Sequence, residues 1–318
     1  MARTPQKLKA ALRGLVGFGV TPFHKDFSLN LEALRQNSDH LADFCDVIVP
    51  LGNNGEIFSL SPEEQKLVGR TVVEEVRGRK PVLVGVGYAL PVVLELVKAA
   101  EAYGADGILV LPPSATPAND DGLVDYYRTI AASTKLGIVL FQTAAFNFSV
   151  GLLRCLREVP NIVGLKDEHG DMKQFVRQWR AASDRLELLC GVGEILAPSY
   201  FALGVKGFTS GIVNFMPRTP LRIMELPACG PTEGRGGSCG ARGDARFRSA
   251  QQAARLYNCG NQRCDHALWP RGRAAAPTPR SARRADREKL RRLLRQLGIL
   301  KGQTARPSKS AKAKSRPH

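Results

Sequence analysis

A rhythm constrains this chain more than any single residue does. Eight short apolar runs recur along its first two thirds: GLVGFGV (14–20), DVIVPLG (46–52), PVLVGVG (81–87), GILVLPP (107–113), GIVLFQ (137–142), NIVGLKD (161–167), LELLCGVG (186–193) and GFTSGIVN (207–214). Such near-continuous hydrophobicity suits parallel strands covered on both faces. Amphipathic stretches lie between them. One helix is expected over Leu31 to Phe44, after Asn30 as N-cap. Ser61-Pro62-Glu63-Glu64 opens another, with serine at the cap, proline in the first position and acids in the first turn. Pro91–Tyr103, Gly122–Ser133, Val150–Glu158, Asp171–Ala182 and Glu194–Leu203 continue the series. Eight such units in about 220 residues is the arithmetic of an α/β fold of the (β/α)₈ TIM-barrel type. The competing open sheet needs a glycine-rich turn running from its first strand straight into a helix, and GFGVTPF does not do this.

The pattern stops at Pro227, and so does the charge balance. Of the 46 Lys+Arg and 29 Asp+Glu, residues 1–226 hold 24 of each, leaving 22 basic and 5 acidic residues for 227–318. The net charge of +17 therefore belongs to the tail, and the folded part offers no basic surface that would select nucleic acid. We divide the chain into a barrel at 1–226, an irregular Gly/Ala/Arg/Pro-rich segment at 227–283, a helix at 284–300 and a disordered basic tail at 301–318. The helix is expected because Leu290, Leu293, Leu294 and Leu297 repeat at helical spacing before Gly298. No apolar run reaches the ~18 residues of a membrane span. The opening MARTPQKLKAALRG lacks the features of a secretion signal, so the cytoplasm is the expected location. Cys45, Cys155 and Cys190 read as buried free thiols, and Cys229, Cys239, Cys259 and Cys264 match no paired zinc spacing.

Chemistry in such a barrel gathers at the C-terminal ends of the strands. Those ends place Thr21, the Gly52-Asn53-Asn54-Gly55-Glu56 loop, Tyr88, Phe141-Gln142, Lys166-Asp167, Glu194 and Ser210 on one rim, with a single lysine among them. This set is short of His and Cys, against a zinc hydrolase or a Cys or Ser triad. An amine buried among barrel side chains has a lowered pKa and can attack a carbonyl to form a Schiff base. The protonated imine then acidifies the neighbouring carbon, which permits aldol chemistry or loss of water. The Gly52–Gly55 loop, with backbone N–H groups and two amides, suits a carboxylate. It is equally readable as an ordinary βα turn.

These residues together resemble a known family. GFGVTPF, GNNGEIFSLSPEE, GADGILVLPP and NIVGLKD occur in the order found in the dihydrodipicolinate synthase / N-acetylneuraminate lyase family. EIFSL, GLKDEHGD and YFALGVKGFTSGIVNFMP are most similar to its 5-dehydro-4-deoxyglucarate dehydratase branch. The resemblance covers 12–226. It implies that Lys166 forms an imine with a 2-oxo acid, that Gly52, Asn53, Asn54 and Gly55 bind the adjacent carboxylate, and that Phe141 and Ser210 line the pocket. It implies dehydration and decarboxylation of a 2-oxo sugar acid with no metal or organic cofactor, in a chain that forms homo-oligomers, commonly tetramers.

Three positions depart from the family pattern. Phe141 stands where a proton-relaying tyrosine is usual, so water or Tyr88 would have to substitute. Asn53 and Asn54 replace hydroxyl donors, and Ser114 replaces an aromatic residue. A pyruvate-dependent aldolase, a dihydrodipicolinate-synthase-like enzyme and a catalytically impaired paralogue are the alternatives, with DNA binding through the tail as a non-enzymatic one. The resemblance also places an eighth helix and a helical bundle where 227–283 stands, and this segment resembles neither. Two compensating frameshifts would produce that pattern, and the other two reading frames test it.

Overall fold

The computed structural model describes residues 4–113 and 119–226, together with Arg292 and Arg295. The expectations for 227–283, 284–300 and 301–318, and for Ser114, lie outside the described residues. Eight parallel strands form one sheet: β1 Leu15–Phe18, β2 Val47–Val49, β3 Leu83–Val86, β4 Gly107–Val110, β5 Gly137–Gln142, β6 Ile162–Asp167, β7 Glu187–Cys190 and β8 Phe208–Ser210. Each follows its neighbour in order, and β8 returns to pair with β1. The seam between β2 and β3 is closed by Ile48 N–H donating to Pro81 O (3.0 Å) and Gly85 N–H to Pro50 O (3.1 Å). Every strand residue is buried, as covering on both faces requires. The expected TIM barrel is the observed fold.

The helices begin where local chemistry satisfies their first N–H groups. They are α1 Pro5–Ala11, α2 Leu31–Phe44, α3 Pro62–Val76, α4 Leu90–Ala102, α5 Asp120–Ala132, α6 Val150–Leu156, α7 Met172–Ala182, α8 Ala197–Ala202 and α9 Arg218–Met224. At α3, Ser61 and Glu64 form a complete capping box. Asn30, Asn119, Ser149 and Asp171 cap α2, α5, α6 and α7 with their side chains.

Four features differ from the sequence expectation. Helix α1, unforeseen, closes the floor of the barrel with fully buried Leu8 and Leu12. The strands make room for it with glycine: a Cβ on Gly107 would lie 2.4 Å from Leu8, and one on Gly207 1.9 Å from the Leu12 carbonyl oxygen. The stretch expected as Glu194–Leu203 is split, with a 3₁₀ turn at Gly193–Ile195 before α8, because Gly193 takes φ +78° and Pro198 sits in the first turn of α8. The eighth barrel helix begins at Arg218, ahead of 227. Its prolines Pro217 and Pro220 fall at the cap and in the first turn, where a missing N–H costs nothing, and Pro220 and Ile223 are buried. Cys155 is exposed on α6, which buries Leu152, Leu153 and Leu156 instead, whereas Cys45 and Cys190 are buried free thiols.

Candidate active site

A cavity of about 720 Å³ opens at the C-terminal rim of the strands. Its walls include Phe18, Asn53, Asn54, Phe58, Lys166, Glu168, Glu194, Thr209 and Ile212. Lys166 is the penultimate residue of β6 and is 3% exposed. Its amine lies 3.7 Å from the centroid of the Phe141 ring and 4.7 Å from that of Phe18. Burial lowers its pKa, opposed by Glu168 in direct contact and, less, by Cys190 and Asp167. The amine thus sits in the setting that favours a nucleophilic lysine.

Successive strand residues face opposite sides, and Asp167 therefore points away from the cavity, into the layer between barrel and helices. There it accepts hydrogen bonds from Tyr200 OH (2.6 Å), Gln142 Nε2 (2.7 Å) and His169 N–H (2.9 Å). Gln178 completes the cluster by donating to Gln142 Oε1 (2.9 Å). This buried network ties β5, β6, α7 and α8 behind Lys166. Glu168, two residues past the lysine, returns to the cavity side. Its Oε2 accepts from the Lys166 amine and its Oε1 from Asn53 Nδ2 (3.3 Å).

The loop after β2 divides its duties. Asn53 and Asn54 line the cavity, whereas Gly52 and Gly55 shape the turn. A Cβ on Gly52 would strike the Phe18 ring at 2.5 Å, so this glycine lets Phe18 reach toward the lysine. The backbone N–H groups of Gly55 and Glu56 donate within the loop, to Gly52 O (3.0 Å) and Asn53 O (3.1 Å). Thr21 anchors the loop by donating to Gly55 O (2.8 Å).

Phe141 pairs with Lys166 in the β5–β6 register and is buried against its amine rather than forming a cavity wall. Ser210 is buried beside the cavity. Its hydroxyl donates to Glu194 Oε1 and accepts from Val213 N–H (3.1 Å). Burial pushes the Glu194 carboxyl up to about 7, although the Ser210 hydroxyl works the other way. Tyr88, the alternative hydroxyl, is turned from the lysine: its OH donates to Ile57 O (2.9 Å). Glu168 escaped the sequence reading, yet its i, i+2 spacing from Lys166 at a strand end places both on one face. Among the described residues, no group of three or more His, Cys, Asp or Glu side chains is placed to hold a metal ion.

A closed (β/α)₈ barrel with one buried amine in a rim cavity defines an enzyme of the TIM-barrel class. The dihydrodipicolinate synthetase family matches residues 11–234. A probable 5-dehydro-4-deoxyglucarate dehydratase of Bradyrhizobium is 37% identical over 219 residues, 67% of this chain and 70% of that protein. One from Methylobacterium radiotolerans is 38% identical over 227 residues, 70% and 75% of the two chains. Among solved structures, dihydrodipicolinate synthase from Bacillus clausii superposes with a TM-score of 0.76 at 28% identity, covering 92% of this chain and 99% of that one. The chain belongs to the dihydrodipicolinate synthetase family and is a lyase.

Proposed function

We propose that this lyase forms a Schiff base through Lys166 with a 2-oxo sugar acid. The substrate is 5-dehydro-4-deoxyglucarate, which loses water and CO₂ to give 2-oxoglutarate semialdehyde. The observation that carries the reading is the buried amine at the end of β6, opening into a cavity that also presents Asn53, Asn54 and Thr209. The names of the relatives supply the substrate. In this reading the amine attacks the 2-oxo carbon while the side-chain amides of Asn53 and Asn54 receive the adjacent carboxylate. The cationic imine draws electrons from the neighbouring carbon. That carbon gives up a proton, and the hydroxyl on the next carbon leaves as water.

Borohydride reduction in the presence of substrate, followed by peptide mass spectrometry, tests the assignment. The adduct is expected on Lys166 and absent from Lys166→Ala. An adduct on another lysine overturns it. A second reading, a pyruvate-dependent synthase or aldolase, is favoured by the likeness to the Bacillus clausii enzyme. Release of CO₂ and the semialdehyde from the sugar acid separates the two. The reading brings with it a cytoplasmic enzyme that assembles with copies of itself, which sedimentation of the full chain tests. No helix among the described residues is long and apolar enough to cross a membrane.

A further inference from the structure

We propose that Glu168 is the proton-transfer residue for Lys166, taking the ammonium proton to free the amine and passing it to the carbonyl oxygen as the imine forms. The proposal rests on the Schiff-base reading above. An amine that forms an imine must lose a proton, and the intermediate carbinolamine must lose water. Both steps need a group within hydrogen-bond reach of the nitrogen that can hold a proton and give it back.

The surroundings of the Lys166 amine narrow the choice. Two phenyl faces, Phe141 and Phe18, flank it, and neither carries a hydroxyl. The Tyr88 hydroxyl is committed to Ile57 O. Cys190, on β7, is kept a thiol by burial, with its pKa pushed up to about 12. The Asp167 carboxylate is held on the far side of the strand by Tyr200, Gln142 and His169. Glu194 stands on the cavity wall with the Ser210 hydroxyl donating to it. Among the described residues, Glu168 is the carboxylate in direct contact with the amine.

Its placement is built into the chain. Glu168 N–H donates to Gln142 O (3.0 Å), which extends the β6 pairing by one residue and aims the side chain back at the lysine. Asn53 holds the second carboxylate oxygen. The side chain is 35% exposed against 4% for Lys166, so it faces both the amine and the open cavity.

Glu168 carries two protons from nitrogen to oxygen, one at a time. Glu168 first accepts a proton from the Lys166 ammonium. The nitrogen lone pair then forms the bond to the carbonyl carbon, and the carbonyl π pair moves to oxygen. Glu168 protonates that oxygen and takes a proton from the now cationic nitrogen. It gives this proton to the carbinolamine hydroxyl, the C–O bond breaks, and water leaves as the nitrogen lone pair forms the C=N bond. The products are the cationic imine, one water and the Glu168 carboxylate, so charge and protons balance without a further acid.

The test is the rate of imine formation with pyruvate as probe, by rapid quench into borohydride, on the full chain. Glu168→Gln is expected to slow labelling of Lys166 by about 100-fold or more, with labelling still complete at long times. Glu168→Asp is expected to recover part of the rate. Added acetate is expected to accelerate Glu168→Ala, which a merely structural role would not produce. Labelling of Glu168→Gln at the wild-type rate or faster, or no response to acetate, overturns the proposal alone. Wild-type protein that gives no adduct on Lys166 with either pyruvate or the sugar acid overturns the Schiff-base reading and this proposal with it.

Discussion

Phe141 and Lys166 face each other across the β5–β6 pairing, and the amine rests 3.7 Å from the centroid of the phenyl ring. Two opposing effects meet there. The ring face attracts the ammonium form, whereas burial favours the neutral amine. The net direction for Lys166 is downward, because burial outweighs the nearby Glu168, Cys190 and Asp167.

Replacing Phe141 by leucine removes the ring face and keeps an apolar wall. A cation–π contact is worth about 0.5–2 kcal/mol. Without it the Lys166 pKa should fall further. The acid limb of the pH profile for imine trapping is expected to move to lower pH. An unmoved limb would show that the ring does not stabilise the ammonium form.

Behind the lysine, Tyr200 donates to Asp167 Oδ2, and both side chains are fully buried. Burial, with the Asp167 charge adding to it, raises the phenol pKa, so the hydroxyl remains a donor. Tyr200→Phe leaves a carboxylate oxygen without this donor, at a cost of about 1.5–3 kcal/mol. For a domain of this size that is about 3–12 °C in Tm. Calorimetry on the variant checks it, and a shift under ~1 °C would mean that the cluster is already relaxed.

The strands were legible because a barrel strand is buried on both faces and reads as a continuous apolar run. The α3 start was legible because capping is local: Ser61, Pro62 and Glu64 lie within one turn. Helices α1 and α9 were not. Each is seven residues long and owes its place to distant contacts, α1 to the strands it floors and α9 to the buried pair Pro220 and Ile223. At the site, Lys166 could be read from its place at the end of the sixth apolar run. Glu168 could not be read so directly, since an acid past a strand end usually meets solvent. Ser210 sits at a strand end as expected, but its hydroxyl is taken by Glu194, which only the packing of the 3₁₀ turn at Gly193–Ile195 against β8 reveals.

The floor of the barrel gives a stability prediction independent of the site. Leu8 is fully buried, packed where the glycines at the β4 and β5 starts leave space. Leu8→Ala should cost about 2–5 kcal/mol through lost burial and the cavity left behind. Urea unfolding should show a lower midpoint with little change in slope. A loss below ~1 kcal/mol would mean that α1 closes over the gap.

Glu194 gives the pH dependence. Its carboxyl is pushed from 4.5 to about 7 by burial. Between those values the folded chain holds a proton that the unfolded chain has released. Stability from this group is therefore complete below pH ~4.5 and is lost as pH rises through ~7. The shift corresponds to about 3 kcal/mol at most. Glu194→Gln keeps the shape and the partner for Ser210 but cannot ionise. Wild-type protein should lose stability relative to this variant as pH goes from ~5 to ~8, by a few kcal/mol. Urea melts of both proteins at the two pH values give the difference directly. Parallel pH curves would show that Glu194 ionises in the folded state as readily as in the unfolded one.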